Sequence, residues 1–371
     1  MRILFFHRWV GVHGGGTETH LLELVRRFRS RGHEISILTR QGKRFDDLSR
    51  DITVFRVSRN FRESDHSYED FRVYVHTALF ALKSLVLLFF LYLKGKRFDV
   101  ISVHFATEAL VARIFRFFTK TPFIFVLEGY TPLEAETARY ANGRVAISQY
   151  EAGMYKKNHG VDSKVIYIGV DLNRYNVAKE SARAIRSRYV GDDDIMVVTV
   201  CRLEPRKDIP TLLKAAAKVQ ERNARIKFVI AGGGISRRVI EEEIEKLGLE
   251  GTVILAGFVP DDELSLFYKA GDIFLLTSKE EWFGIVFLEA MASGLPIITT
   301  RVDACPEVVD GAGLFFEKGD FCTLSEQVLK LAQDQSLREG LSGTALRRSK
   351  EFDWEKQIIL YEQAYKKVLK R

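Results

Sequence analysis

Residues Ile273–Thr299 read IFLLTSKEEWFGIVFLEAMASGLPIIT, and they hold one complete repeat of the pattern that decides the fold. The apolar run Ile273–Thr277 is a strand too uniformly hydrophobic to face water. A polar loop follows, then a helix over Gly284–Ser293 stopped by Gly294 and Pro296, then a second apolar strand, Ile297–Thr299. Strand, loop, helix and strand in that order build a parallel sheet covered by helices. Upstream the same logic runs through strand Met196–Cys201, helix Ile209–Glu221, strand Lys227–Ala231, the Gly232–Gly234 cluster and helix Arg237–Leu247. Strand Ile254–Ala256 and helix Asp262–Ala270 complete the series.

The first half carries its own version. An apolar strand Ile3–Phe6 leads through a glycine cluster into an amphipathic stretch, Thr17–Phe28, with Leu21, Leu22, Leu24 and Val25 on one side. Strands follow at Glu34–Thr39, Thr53–Val57, Val100–His104 and Phe123–Leu127. The fold class is therefore α/β with two Rossmann-like, doubly wound domains, as a chain of 371 residues leads one to expect. The expected division is a domain over 1–175, a second over 176–350, and a C-terminal helical segment over 351–371, with Asn173–Asp194 as the connection.

At 46% hydrophobic and 28% charged, with 7 prolines, the composition excludes a disordered chain or a solenoid. Cys201, Cys305 and Cys322 are odd in number and lack close spacing, so neither a disulfide framework nor a zinc site is expected, and no metal site is read. Met1–Arg8 reads as a first strand and not a signal peptide, which points to a cytoplasmic protein.

Charge is uneven. Residues 1–180 hold 28 Lys and Arg against 19 Asp and Glu, whereas the remainder holds 28 against 30. A basic first half faces something anionic, such as lipid headgroups, a phosphorylated acceptor or nucleic acid, or is a solvated basic surface. Within it, Ala78–Leu93 contains a single charge, Lys83, and its apolar residues run right round a helix. Two readings stand: a buried helix of the first domain, or a helix that dips into a bilayer surface beside Lys94, Lys96 and Arg97.

Chemistry concentrates in the second half. Glu281 falls in the loop after a strand's carboxyl end, where open α/β sheets bind ligands. Glu289 sits about one and a half turns into the next helix and can point back toward the same crevice, or be a solvated surface carboxylate. The helix start at Gly284, Ile285 and Val286 offers backbone N–H groups and a positive dipole end to phosphate or sugar hydroxyls. After the strand ending at Cys201, Arg202 and Lys207 are placed to clamp a diphosphate without a metal. Gly14, Gly15 and Gly16, like Gly232, Gly233 and Gly234, let the backbone approach a ligand closely, although neither group is a dinucleotide fingerprint.

Together these blocks resemble the retaining GT-B glycosyltransferases of family four. The resemblance runs from GGGTETHLLEL through VAISQYEAGMYKK, VIYIGVDLNRY, CRLEPRKDIPTLLKA, FVIAGGG, AGFVPDDELSLFYKAGDIFLLTS and EEWFGIVFLEAMASGLPII to FDWEKQI. It implies two domains facing across a cleft and a last helix that crosses back to the first. It also implies a UDP- or GDP-linked sugar as donor substrate, no cofactor and no metal. Glu289 would hold the ribose, Arg202 and Lys207 the diphosphate, and Phe258 and Val259 the base. Glu281 and the backbone of Phe283, Gly284, Ile285 and Val286 would hold the transferred sugar, with Gly15 and Gly16 against the donor from the acceptor side. The resemblance further implies retention of the α configuration and a glycan, lipid-linked or small-molecule acceptor; the basic first half and the Ala78–Leu93 stretch add the expectation of peripheral contact with the cytoplasmic membrane face through the first domain.

One position departs from the family pattern. Many relatives carry a His after the strand Phe123–Leu127, where this chain has Glu128, which can accept hydrogen bonds from sugar hydroxyls but cannot donate as an imidazole can. His104, at the end of the preceding strand, is either its substitute or a structural histidine. Two rival functions share parts of this pattern: a GT-B nucleotide-sugar epimerase, which the Glu281 and Glu289 arrangement disfavours, and a basic nucleic-acid binder, for which no recognition module is visible.

Overall fold

The computed structural model describes residues 1–8, 10, 15–40, 52–57 and 71–370, with side chains from 74 onward in the last range. Gly14 lies outside them. The chain divides into two compact units, Met1–Tyr167 with Gln357–Arg371, and Ile168–Lys356.

The first unit holds a seven-stranded sheet of β1 (Arg2–Phe6), β2 (Glu34–Thr39), β3 (Thr53–Arg56), β4 (Val100–Val103), β5 (Phe123–Leu127), β6 (Gly143–Ala146) and β7 (Lys164–Val165). The order is β3-β2-β1-β4-β5-β6-β7, with every pairing parallel. Helices α1 (Gly16–Ser30), α2 (Phe71–Leu93), α3 (Ala106–Thr119), α4 (Pro132–Ala138) and α5 (Gln149–His159) flank it. Parallel strands bury both faces, which is why β1, β4 and β5 are apolar almost throughout. Leu4, Phe6, Ile101, Val103, Phe123 and Phe125 form the centre of one core layer.

The second unit begins with the short helices α6 (Leu172–Tyr175) and α7 (Arg183–Arg186). Its sheet comprises β8 (Ile195–Val200), β9 (Ile226–Ala231), β10 (Val253–Gly257), β11 (Ile273–Leu276), β12 (Ile297–Thr300) and β13 (Gly313–Phe316), in the order β10-β9-β8-β11-β12-β13, again parallel. Around it lie α8 (Ile209–Arg222), α9 (Arg237–Lys246), α10 (Leu264–Ala270), α11 (Ile285–Ala292), α12 (Cys305–Val309), α13 (Phe321–Gln333) and α14 (Gln335–Ser349). A last helix, α15 (Trp354–Leu369), starts in the second unit and from Gln357 packs in the first. There the Tyr361 hydroxyl meets His20 Nε2 at 3.0 Å, and the Tyr365 hydroxyl meets Ser102 Oγ at 2.6 Å.

Two details differ from the sequence reading. Strands β6, β7 and β13 go beyond the predicted set, because two to four residues give no periodic run to read. The stretch 168–175 belongs to the second unit: Val170 N donates to Phe352 O at 2.8 Å, Trp354 N to Val170 O at 3.2 Å, and the Tyr175 ring stands 5.9 Å from that of Tyr268.

In each sheet the strand order reverses once, between β1 and β4 and between β8 and β11. Outside the carboxyl ends of those strand pairs the connections diverge, which is where open sheets of this kind form their crevice. Gly232–Gly234, after β9, pack on the loop after β8. Leu203 N donates to Gly233 O at 2.9 Å, and a Cβ on Gly232, whose φ is +130°, would stand 1.9 Å from Cys201 O. The close approach these glycines allow is to the protein's own backbone. Gly232→Ala is therefore expected to lower stability by about 2 kcal/mol or more. Gly233→Ala, whose Cβ meets nothing within 4 Å, serves as a near-neutral control, both measured by urea unfolding.

Candidate functional site

The crevice of the second unit is bounded by the loops after β8 and β11. Three contacts tie them together. Lys279 N donates to Arg206 O at 2.7 Å, and the Thr277 hydroxyl bonds Lys207 O at 2.8 Å. Lys279 Nζ lies 3.1 Å from Asp208 Oδ1. Asp208 sits at a left-handed φ of 50° before α8, where its Oδ2 accepts from Thr211 Oγ1 at 2.8 Å. That bend turns the chain sharply out of the β8 loop into the helix and aims Lys207 inward.

Lys207 is buried and its ammonium pairs with Glu281 Oε2, which also accepts from Ser278 Oγ at 3.2 Å. Glu281 N is fixed in turn by Asp303 Oδ2 at 2.8 Å. Glu281 Oε1 has no protein partner among the described residues. The sequence placed Lys207 and Glu281 in one crevice; the structure joins them directly. An ammonium carries three donors, so two protons of Lys207 stay available to an incoming oxygen. Arg202 pairs with Glu204 at 2.9 Å, and Glu204 also holds Arg206 at 3.0 Å, leaving the Arg202 side chain about half exposed.

Helix α11 opens at Gly284, whose φ of +80° and crowding against Phe287, 2.4 Å from an added Cβ, require glycine. The N–H groups of Gly284, Ile285 and Val286 have no acceptor among the described residues. Phe283 is buried, with its ring 6.0 Å from that of Phe352. Glu289, the fifth residue of α11, is not a solvated surface group: Tyr268 donates its hydroxyl to Glu289 Oε2 at 2.7 Å. Burial raises the Glu289 carboxyl above its usual range, against hydrogen bonds from Tyr268 and Tyr175. Both tyrosines escaped the sequence reading, since no local pattern links them to position 289. Phe258 stands exposed and Val259 half-buried just after β10. Burial pushes the Cys201 thiol up to about 12, so it is no nucleophile.

The first unit has a crevice of another character. Gly15 is the extended N-cap of α1, its carbonyl accepting from Thr19 N at 2.9 Å, and Gly16 is the helix's first residue. Glu128, after β5, is buried between His20, which bonds its Oε1, and His104, whose Nδ1 lies 3.3 Å from the same oxygen. Burial alone would raise the Glu128 carboxyl, but His104 and His20 outweigh it and hold it at about 2. His104 thus stands directly beside Glu128. His7, beyond β1, is fully buried with its ring 5.3 Å from that of His104, and burial drives its pKa well below 6.5. Arg8 forks onto buried Glu108 with two contacts of 2.9 Å. No cluster of His, Cys, Asp or Glu fit to hold a metal occurs among the described residues.

The family model for Glycosyltransferase Family 4 matches residues 14–174, and that for Glycosyl transferases group 1 matches residues 182–348. The O-antigen chain mannosyltransferase B of Escherichia coli is 35% identical over 166 residues, 44% of either chain. The alpha-monoglucosyldiacylglycerol synthase of Streptococcus pneumoniae is 30% identical over 142 residues, 37% of this chain and 32% of the other. The match thus spans less than half the length of these curated relatives. Among solved structures, the sucrose-phosphate synthase of Thermosynechococcus elongatus superposes with a TM-score of 0.84 at 18% identity, covering 99% of this chain and 98% of the other. The HepE protein of Anabaena, solved with UDP and glucose, gives 0.81 at 21% identity over 98% of both. These likenesses show the shared fold.

Two outcomes follow. Lys207→Met leaves a buried carboxylate unpaired and is expected to cost about 3 kcal/mol. The double change with Glu281→Met is expected to cost less than the sum of the single changes, read by a double-mutant cycle of urea unfolding. Because His7 stays neutral when folded, the unfolded chain alone gains its proton below about pH 6.5, so stability falls with falling pH by up to about 1.4 kcal/mol per unit. His7→Asn is expected to flatten that slope in unfolding measured from pH 7.5 down to pH 5.

Proposed function

Because the chain belongs to the group 1 and family 4 glycosyltransferases, with the two parallel α/β sheets of the GT-B fold, we propose that it moves a sugar from a UDP- or GDP-linked donor to a glycan, lipid-linked or small-molecule acceptor, with retention of configuration. The observation that carries this reading is the junction of the β8 and β11 loops. A buried cation with spare donors, an exposed arginine and an unpaired helix start come from two loops that are hydrogen-bonded to each other.

In this reading Arg202 and Lys207 take the diphosphate, and Glu289 the ribose hydroxyls. Phe258 and Val259 flank the base. Glu281 Oε1 and the backbone N–H groups from Phe283 to Val286 hold the transferred sugar. As the bond from the anomeric carbon to the phosphate oxygen breaks, charge grows on the diphosphate, and the fixed cations lower its energy without reorganisation and without a metal. The acceptor hydroxyl attacks from the face the phosphate leaves, passes its proton to that phosphate, and its oxygen forms the new glycosidic bond. Gly15, Gly16 and Glu128 belong to the first unit's part in this scheme. Glu128, held ionised by two histidines, acts as an acceptor for hydroxyl protons of a sugar.

The test is binding and transfer with UDP-, GDP- and ADP-sugars. The matching donor at about a hundred times its Kd adds about 2.7 kcal/mol to stability. Transfer is expected to proceed in EDTA and to give a product of the donor's anomeric configuration, and Glu289→Ala to weaken nucleoside diphosphate binding about tenfold or more. Unchanged nucleotide affinity with a lowered Tm would make Glu289 a structural residue. No stabilisation by any nucleotide sugar defeats the proposal.

A further inference from the structure

Helix α2 is too apolar for a surface helix, yet it is a surface helix. Over Tyr74–Leu93 its mean hydropathy is 1.8, and by length and composition it is the one helix among the described residues able to cross a membrane, but only 17% of that window is buried. The buried positions Phe80, Ser84 and Leu88 recur every four residues and pack into the first unit, with Phe80 5.8 Å from Phe6 of β1. Of the two readings the sequence left open, wholesale burial is therefore excluded for this helix.

The opposite face is also apolar. Leu79, Leu82, Val86, Phe90 and Leu93 follow helical spacing and are 44%, 59%, 62%, 53% and 83% exposed. Helix α3 packs beside α2, joined through Phe89 and Phe115 at 5.3 Å, and continues the patch with Phe117 and Phe118, 72% and 65% exposed. A stripe from Leu79 to Leu93 is about 21 Å long at 1.5 Å per residue. Exposed apolar patches of this size mark a binding surface.

Charge identifies the occupant. From Phe71 to Leu127 the sequence has eight Lys and Arg and two acids, Asp99 and Glu108. Both acids are spoken for, Asp99 by Arg2 at 2.6 Å and buried Glu108 by Arg8. Lys94 lies 5.7 Å from the Phe90 ring and Lys120 6.0 Å from the Phe117 ring, cations standing beside the apolar side chains nearest the helix ends. Lys83 interrupts the stripe itself. Aliphatic stems along an apolar surface with ammonium heads at its margin suit a boundary between hydrocarbon and anionic headgroups.

We propose that the α2–α3 face docks this protein on an anionic lipid bilayer, with α2 lying in the interface. The helix does not span, because a span would strip Phe80, Ser84 and Leu88 from the core. The surface is built from the first unit and the donor-site residues from the second, so its test needs no transfer activity.

The full chain is sedimented with phosphatidylcholine vesicles, with and without phosphatidylglycerol. Wild type is expected to pellet with the anionic vesicles and to be released by raising salt from about 50 mM to about 500 mM, where screening shortens the reach of its lysines. Val86→Glu with Phe117→Glu, both at exposed positions, is expected to weaken binding about tenfold or more at an unchanged Tm, and so is Lys83→Glu with Lys94→Glu and Lys120→Glu. Wild type that ignores anionic vesicles overturns the proposal, as does an apolar-face variant that binds as well as wild type. A wild-type dimer in sedimentation velocity that Val86→Glu and Phe117→Glu convert to monomer also overturns it, in favour of a second copy of this chain.

Discussion

Lys207 and Glu281 meet where little water reaches either, and much of the second unit's crevice follows from that meeting. An isolated buried ammonium or carboxylate would be costly, so each requires the other. Satisfying the pair draws the loop after β8 onto the loop after β11, and the backbone bonds from Lys279 to Arg206 and from Thr277 to Lys207 complete the join. The left-handed turn at Asp208 and the brace from Asp303 to Glu281 N serve the same geometry from either side. Because the pair consumes only part of each group's hydrogen-bonding capacity, the junction is rigid and still has donors and an acceptor to offer.

Parallel pairing explains why polar groups gather where they do. With every strand running the same way, the carboxyl ends of all strands in a sheet share one edge, and the strand order reverses at a single place in each. The two units treat that place differently. In the second, the edge carries arginine, lysine and an open helix start. In the first, it is filled by His7, His20, His104 and Glu128, all buried, with lack of water holding His7 neutral and the two neighbouring imidazoles holding Glu128 ionised.

The long periodic elements were legible because one residue type at one spacing specifies them: Ile209–Arg222 and Trp354–Leu369 differ from their predicted bounds by at most one residue. The crevice loops were legible as well, since Glu281 and Lys207 each follow a strand's carboxyl end. What sequence could not supply was partnership. Tyr268 and Tyr175 reach Glu289 only through the packing of α6 and α10 against α11, and His20 reaches Glu128 across 108 positions. Gly232 and Gly234 announced a close approach without saying to what, and the answer was the backbone at Cys201 and Leu203. Helix α2 gave its hydrophobicity but not its orientation, because a helix apolar all round carries no moment to say which side faces the core.

The return of α15 to the first unit carries a consequence for biosynthesis. Tyr361 reaches His20, and Tyr365 reaches Ser102, yet the whole of the second unit, Ile168–Lys356, is translated before either tyrosine exists. The amino-terminal unit, which usually matures first on the ribosome, therefore cannot complete its packing here until the end of the chain is made. Until α15 emerges, the first unit waits with its central histidine lacking a hydroxyl partner and part of its aromatic core uncovered. The second unit has its complete sheet by Phe316 and its last core layer, Leu324, Val328 and Leu331 of α13, soon after, all before the first unit receives Tyr361 and Tyr365. Nascent chains of this protein thus spend the longest time incompletely packed in the half that was made first, and that half is where chaperones would find them.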